Sequence, residues 1–285
     1  MCSSEVVAAS IPSTPISRRN AIAGALATAG AALAGVVATK TLEAQPVQRR
    51  SIPATHLVDL THPLSPAFPY IPIQGLTHGF RAKPIATIEK NGVYAMEWQL
   101  IEHTGTHIDA PSHFNAAQPN LDVLPVENFI VPMAVIDVRA QVRGNHDYAL
   151  SPNDVHAWER QHGRLPDNAF VVMRSGWDVY VGSSQQFLGT DASGTMHFPG
   201  FAAATCEFLL HERHVSGVGV DTISFDIGAD SHFTAHKALF QRPKWAIENI
   251  ARLDRIPPAG ATALIGAIPV VAASGGPIRL LATFD

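Results

Sequence analysis

The chain has 285 residues, a formal net charge of −4 and only 15% charged residues. That charge content lies below the usual quarter and argues against a nucleic-acid or polyanion binder. Of its two cysteines, Cys2 falls in a leader and only Cys206 remains in the mature chain, so neither an intramolecular disulfide nor a thiolate metal site can form there.

Arg18 and Arg19 precede an apolar, Ala- and Gly-rich run over 21–38. Paired arginines ahead of a modest hydrophobic segment resemble a twin-arginine export signal, although the large apolar residue usual two places after the second arginine is Ala21 here. A transmembrane helix is the competing reading, but the run is short for a span and mostly alanine, which inserts poorly. Residues 1–50 are therefore set apart as export signal and linker. The mature protein is expected in the periplasm or secreted, without stable membrane insertion. Residues 51–285 suffice for one domain with a large core.

A first strand is read over 56–62. Pro63, Pro66, Pro69 and Pro72 then exclude helix and sheet interior and leave a rigid loop carrying Phe68 and Tyr70. Strand-like runs over 84–89 and 94–101 flank Asn91-Gly92, a hairpin signal. A buried strand follows over 132–138. Ser151 and Pro152 suit the N-cap and first position of a helix reaching about residue 162, with Gly163 as its stop. Residues 169–174 read as a buried strand, 182–196 as a polar loop and 202–213 as a helix. A short strand over 215–220 places residues 221–226 at its carboxyl end, where such sheets favour ligand sites. A helix over 234–241 and a strand over 245–247 come next. Strands over 263–271 and 278–283, with Gly275-Gly276-Pro277 as the turn, complete the chain. Hairpins mixed with strand–helix–strand units indicate a single mixed α/β domain.

The densest chemical signal is residues 103–114, where His103, His107, Asp109 and His113 fall within twelve positions. Imidazole and carboxylate are ligands for zinc or manganese. Pro111 and Gly105 weaken a helical reading, so a strand running into a tight loop is expected. In an extended backbone His107 and Asp109 share one face, and a turn at Gly105 can bring His103 round to join them. Four unrelated polar residues in a surface loop are the alternative. A second cluster, His232, His236 and Glu248, lies far along the chain, with Glu248 at the end of its predicted strand.

Together these residues resemble the metal-dependent cyclase family, known from bacterial kynurenine formamidases, with isatin hydrolases as a sister branch. The resemblance rests on His103, Gly105, Thr106, His107, Asp109, Pro111, His113 and Phe114. It extends to Asp59-Leu60-Thr61-His62-Pro63, Phe198-Pro199-Gly200, Gly219-Val220-Asp221-Thr222 with Ser224 and Asp226, and His236 followed by Glu248-Asn249. It implies a mixed-sheet swivelling β/β/α fold, a homodimer or larger assembly, and two divalent metal ions, zinc first and manganese as the alternative. Carried over by position, His103, His107 and Asp109 would hold one ion. Asp109 would bridge to a second held by His236 and Glu248, and His113 would be the general acid/base.

The expected reaction is metal-assisted hydrolysis of an amide-like C–N bond in a small aromatic substrate. The first expectation is an arylformamidase converting N-formylkynurenine to kynurenine and formate. The isatin branch can carry Gln where this chain has Glu248, which favours the formamidase type. Hydrolysis of a cyclic amide or lactone such as isatin is the alternative, and a non-catalytic periplasmic metal- or ligand-binding protein is another. The loop over 66–72, Phe114 and Trp177 are the candidates for an aryl pocket.

Overall fold

The computed structural model describes residues 55–285; the residues read as an export signal lie outside that range. In chain order the elements are β1 (His56–Asp59), β2 (Arg81–Ala86), α1 (Ile88–Asn91), β3 (Ala95–Gln99), β4 (His107–Asp109) and β5 (Ile130–Asp137). Next come α2 (Arg139–Val142), β6 (Ala149–Leu150), α3 (Pro152–His162), β7 (Phe170–Arg174), α4 (Ser184–Leu188) and β8 (Gly200–Phe201). The last are α5 (Ala203–Phe208), β9 (Gly217–Val220), α6 (Thr234–Leu239), β10 (Trp245–Glu248), β11 (Thr262–Ala267) and β12 (Gly275–Phe284). Among the described residues no helix is long and apolar enough to cross a membrane.

Eight strands form one mixed sheet in the order β1-β12-β11-β5-β7-β9-β10-β4. The run β5-β7-β9-β10 is parallel, and α3, α5 and α6 lie between its successive strands. The sheet closes on itself because β12 is long enough to serve three partners. Gly275–Pro277 pair with β4, Ile278–Thr283 with β11 and Leu281–Phe284 with β1.

Side-chain alternation divides the core in two. Val131, Met133, Val135, Phe170, Val172, Trp245, Ile247, Ala263 and Leu280 fill the inside of the closed sheet. Ala134, Ile136, Val171, Met173, Val218 and Val220 point outward and pack beneath the helices with Trp158, Cys206 and Leu239. Gly219 sits between outward valines and so faces in, where a Cβ would lie 2.5 Å from the Phe170 ring. The aromatic filling of the barrel requires glycine there.

Local signals placed most elements correctly. Helix α3 begins with Pro152 and ends at Gly163, and the Asp154 carboxylate accepts from both the N–H (2.8 Å) and the hydroxyl (2.7 Å) of Ser151. The helix expected to reach residue 213 does so by passing from α5 into a π turn over Leu209–Arg213. Three readings change. The connection at Asn91-Gly92 is not a two-residue turn, because α1 occupies it and Gly92 caps that helical turn. The stretch 182–196 contains α4, started by Ser183, whose hydroxyl accepts from Gln186 N–H. Gly275-Gly276-Pro277 is not a turn but the start of β12. A Cβ at Gly275 would meet the Ile108 carbonyl at 2.6 Å, so glycine here permits strand pairing against β4.

Candidate metal centre

The site arises from the same alternation. On β4, Ile108 turns into the barrel core, so His107 and Asp109 share the opposite face. On β10, Ile247 turns inward and Ala246 and Glu248 turn out. The antiparallel register sets Glu248 opposite His107 and the small Ala246 opposite Asp109. Gly105, at φ +70°, turns the chain ahead of β4. That turn returns His103 to the same face, with its Nδ1 2.6 Å from Asp109 Oδ1.

His236 arrives from α6, with its Nε2 3.6 Å from both Asp109 Oδ2 and Glu248 Oε1. The His107 Nε2 lies 3.2 Å from Asp109 Oδ1 and 3.4 Å from Glu248 Oε2. Two groups able to hold a metal ion result: His103, His107 and Asp109, and Asp109, His236 and Glu248. Within each group one donor atom per residue lies within 4.8 Å of the others. Asp109, only 1% exposed, belongs to both.

These residues fit a divalent metal. His107 Nε2 and Asp109 Oδ2 are buried without a hydrogen-bonding partner, a condition buried polar atoms rarely tolerate. The all-nitrogen-and-oxygen donor set suits zinc or manganese. Without metal, protons take over the charge balance. Burial alone would push His107 down, but Asp109 and Glu248 outweigh it and hold the imidazole at about 10. His236 is likewise held at about 9, against its burial, by Asp109, Asp226 and Glu248.

His113 belongs to neither group. Its ring stacks on His103 at 3.8 Å between centroids and meets Phe114 edge-on at 4.7 Å. Burial, reinforced by the imidazoles of His103, His236 and His107 and opposed by Asp109, pushes it down to about 3. It is therefore neutral at pH 7, with a ring nitrogen able to accept a hydrogen bond.

A surrounding set of residues holds the centre in place. The Asp226 carboxylate contacts His236 Nδ1 and accepts from Ala235 N–H at 2.6 Å. Phe225 donates its N–H to Glu248 Oε1 at 3.0 Å, and its ring packs tilted against His236 with centroids 3.8 Å apart. His107 Nδ1 and the Asn249 amide each lie 2.9 Å from the Gly105 carbonyl. Ser274 contacts His103 Nε2 at 3.2 Å and donates its hydroxyl to Glu102 at 2.6 Å. Asp221 accepts from the N–H groups of Ser175 and Gly176, at 3.1 and 2.7 Å, which ties the end of β7 to that of β9.

The six residues singled out in the sequence are thus brought together. His232 is not among them: it is exposed, and its backbone N–H donates to Asp230. Trp177 is also displaced from its expected role. It is 3% exposed, packed in the outer core, with its indole N–H donated to the Phe187 carbonyl. Of the proline-rich loop, Phe68 is buried and lies 5.8 Å from His62. Phe114 does reach the centre, 4.5 Å from His236. Asp226 and Asn249 stood in the recognised motifs with no role attached. Phe225 lay in the 221–226 stretch expected at a strand's carboxyl end, also with no role attached, whereas Glu102 and Ser274 carried no signal, because nothing local marks a side chain that acts across the fold.

A family model described as "Putative cyclase" matches residues 58–227. An isatin hydrolase from Roseibium aggregatum is 33% identical over 198 residues, covering 66% of this chain and 74% of that protein. A kynurenine formamidase from Bacillus cytotoxicus is 27% identical over 179 residues, covering 63% and 75% respectively. The structure of isatin hydrolase A from Ralstonia solanacearum superposes with a TM-score of 0.76 at 34% identity, covering 81% of this chain and 92% of its own.

Proposed function

This chain belongs to the cyclase family, and from that premise we propose that it is a metal-dependent hydrolase that opens the C–N bond of a small aromatic amide. The observation that carries this reading is the single Asp109 carboxylate shared by two ligand groups, with the neutral imidazole of His113 beside it. His103, His107 and Asp109 would hold one ion, and Asp109, His236 and Glu248 a second, with zinc preferred to manganese. An ion bound there lowers the pKa of water and polarises a carbonyl oxygen. His113 takes the proton from the attacking water and delivers it to the leaving nitrogen, so water is added across the bond to give a carboxylate and an amine. Phe114, packed against both His113 and His236, offers an apolar wall for the aryl group. The protein would work as a homodimer or larger assembly. The paired arginines Arg18 and Arg19 support export to the periplasm.

A cyclic amide of the isatin type is the preferred substrate, because identity to isatin hydrolases (33 and 34%) exceeds that to the kynurenine formamidase (27%). N-formylkynurenine is the second reading, favoured by the carboxylate of Glu248. Both compounds are to be offered to the purified mature chain while its metal content is measured on the same sample. Turnover of isatin with about two ions per chain is expected. Turnover of N-formylkynurenine alone would select the second reading. Failure on both with the metals loaded would refute the aromatic-amide reading.

A further inference from the structure

From the metal ligands a row of rings runs outward to the surface. His103 stacks on His113 at 3.8 Å, His113 meets Phe114 at 4.7 Å, and Phe114 meets Phe233 at 5.2 Å. Phe233 also lies 6.0 Å from His236, the imidazole that Phe225 and Phe240 surround from within the core. Those two rings are wholly buried, whereas Phe233 is 38% exposed.

Its backbone is equally unusual. Phe233 has φ +54° and ψ +51°, the left-handed region that bulky side chains avoid. Asp230 clamps it there, accepting from the N–H of His232 at 2.7 Å and of Thr234 at 2.9 Å, on either side of the residue. Glycine or asparagine would occupy this conformation with less strain. The chain instead places a large apolar ring, partly wet and on a strained backbone, beside the centre. Neither cost brings a folding benefit comparable with that of a fully buried phenylalanine.

We propose that Phe233 is a specificity-determining residue, forming the outer wall of the aryl pocket and holding the substrate's ring against Phe114. This rests on the aromatic-amide reading above, and it is testable by binding alone. Zinc-loaded wild type, Phe233→Gly and Phe233→Ala are titrated calorimetrically with phenylglyoxylate and with pyruvate, two keto acids that differ by the phenyl group. Wild type should prefer phenylglyoxylate, and both variants should lose about tenfold of that preference with metal content unchanged. Melting should place Phe233→Gly a few degrees above Phe233→Ala, the reverse of their usual order, and both near wild type. An unchanged preference, no binding of phenylglyoxylate by wild type, or a collapse in Tm of both variants would overturn the assignment. Retained phenyl preference in a wild type that hydrolyses no aryl amide would uphold the wall and remove only the proposed reaction.

Discussion

Glu248 stands directly opposite His107 across the β4–β10 pair, with its Oε2 3.4 Å from the imidazole Nε2. It nevertheless groups with His236 and Asp109, because its other oxygen is the one turned toward α6. Glu248→Ala should therefore leave the His103–His107–Asp109 group complete and roughly halve the metal content, read by elemental analysis. Asp109→Ala should remove both ions, since its carboxylate is common to the two groups. Retention of two ions by Asp109→Ala would contradict the sharing.

His113 touches the ligands without joining them. His113→Ala should keep its metal and lose about 100- to 10,000-fold in kcat. Loss of metal along with activity would make His113 a ligand instead of the proton carrier.

Asp226 acts through His236. Asp226→Asn keeps the shape but weakens the acceptor at Nδ1 and beneath the first turn of α6. Metal affinity, measured by chelator competition, should fall about 10- to 100-fold. An unchanged affinity would reduce Asp226 to a helix support.

In metal-free protein, His107 and His236 titrate at about 10 and about 9, both above the ordinary 6.5. A raised imidazole pKa contributes stability that is fully present below 6.5 and lost as pH rises through the folded value. Above that range Asp109 and Glu248 are buried charges without their cations. The Tm of metal-free protein should therefore fall between pH 7 and 10, and metal loading should abolish that fall. A metal-free protein equally stable at pH 7 and 10 would refute the charge balance.

Gly219 tests the core. Gly219→Ala drives a methyl into the Phe170 ring and should cost about 1–3 kcal/mol. Thermal melting reads this directly, and a neutral result would mean that the barrel interior yields.

Short-range chemistry made much of the fold legible. Ser151, Pro152 and Gly163 bounded α3, and the buried strands over 130–137 and 170–174 announced themselves by their apolar runs. The ligand residues were legible for the same reason: side-chain type and the period of two place His107 and Asp109 on one face whatever lies around them. What the sequence by itself determined was therefore the inventory of donors and the local backbone that presents them. Tertiary structure alone decided that β12 reaches back to β4, which turned Gly275 from a turn residue into a strand residue packed against Ile108 and His103. It also decided that Trp177 belongs to the core, that Phe225 and Asp226 hold His236, and that Phe233 stands exposed beside the centre. The first of those outcomes depends on sheet register between residues more than a hundred positions apart and the others on how loops and helices dock, from about ten positions apart upward; such contacts leave no period or cap in the chain to read.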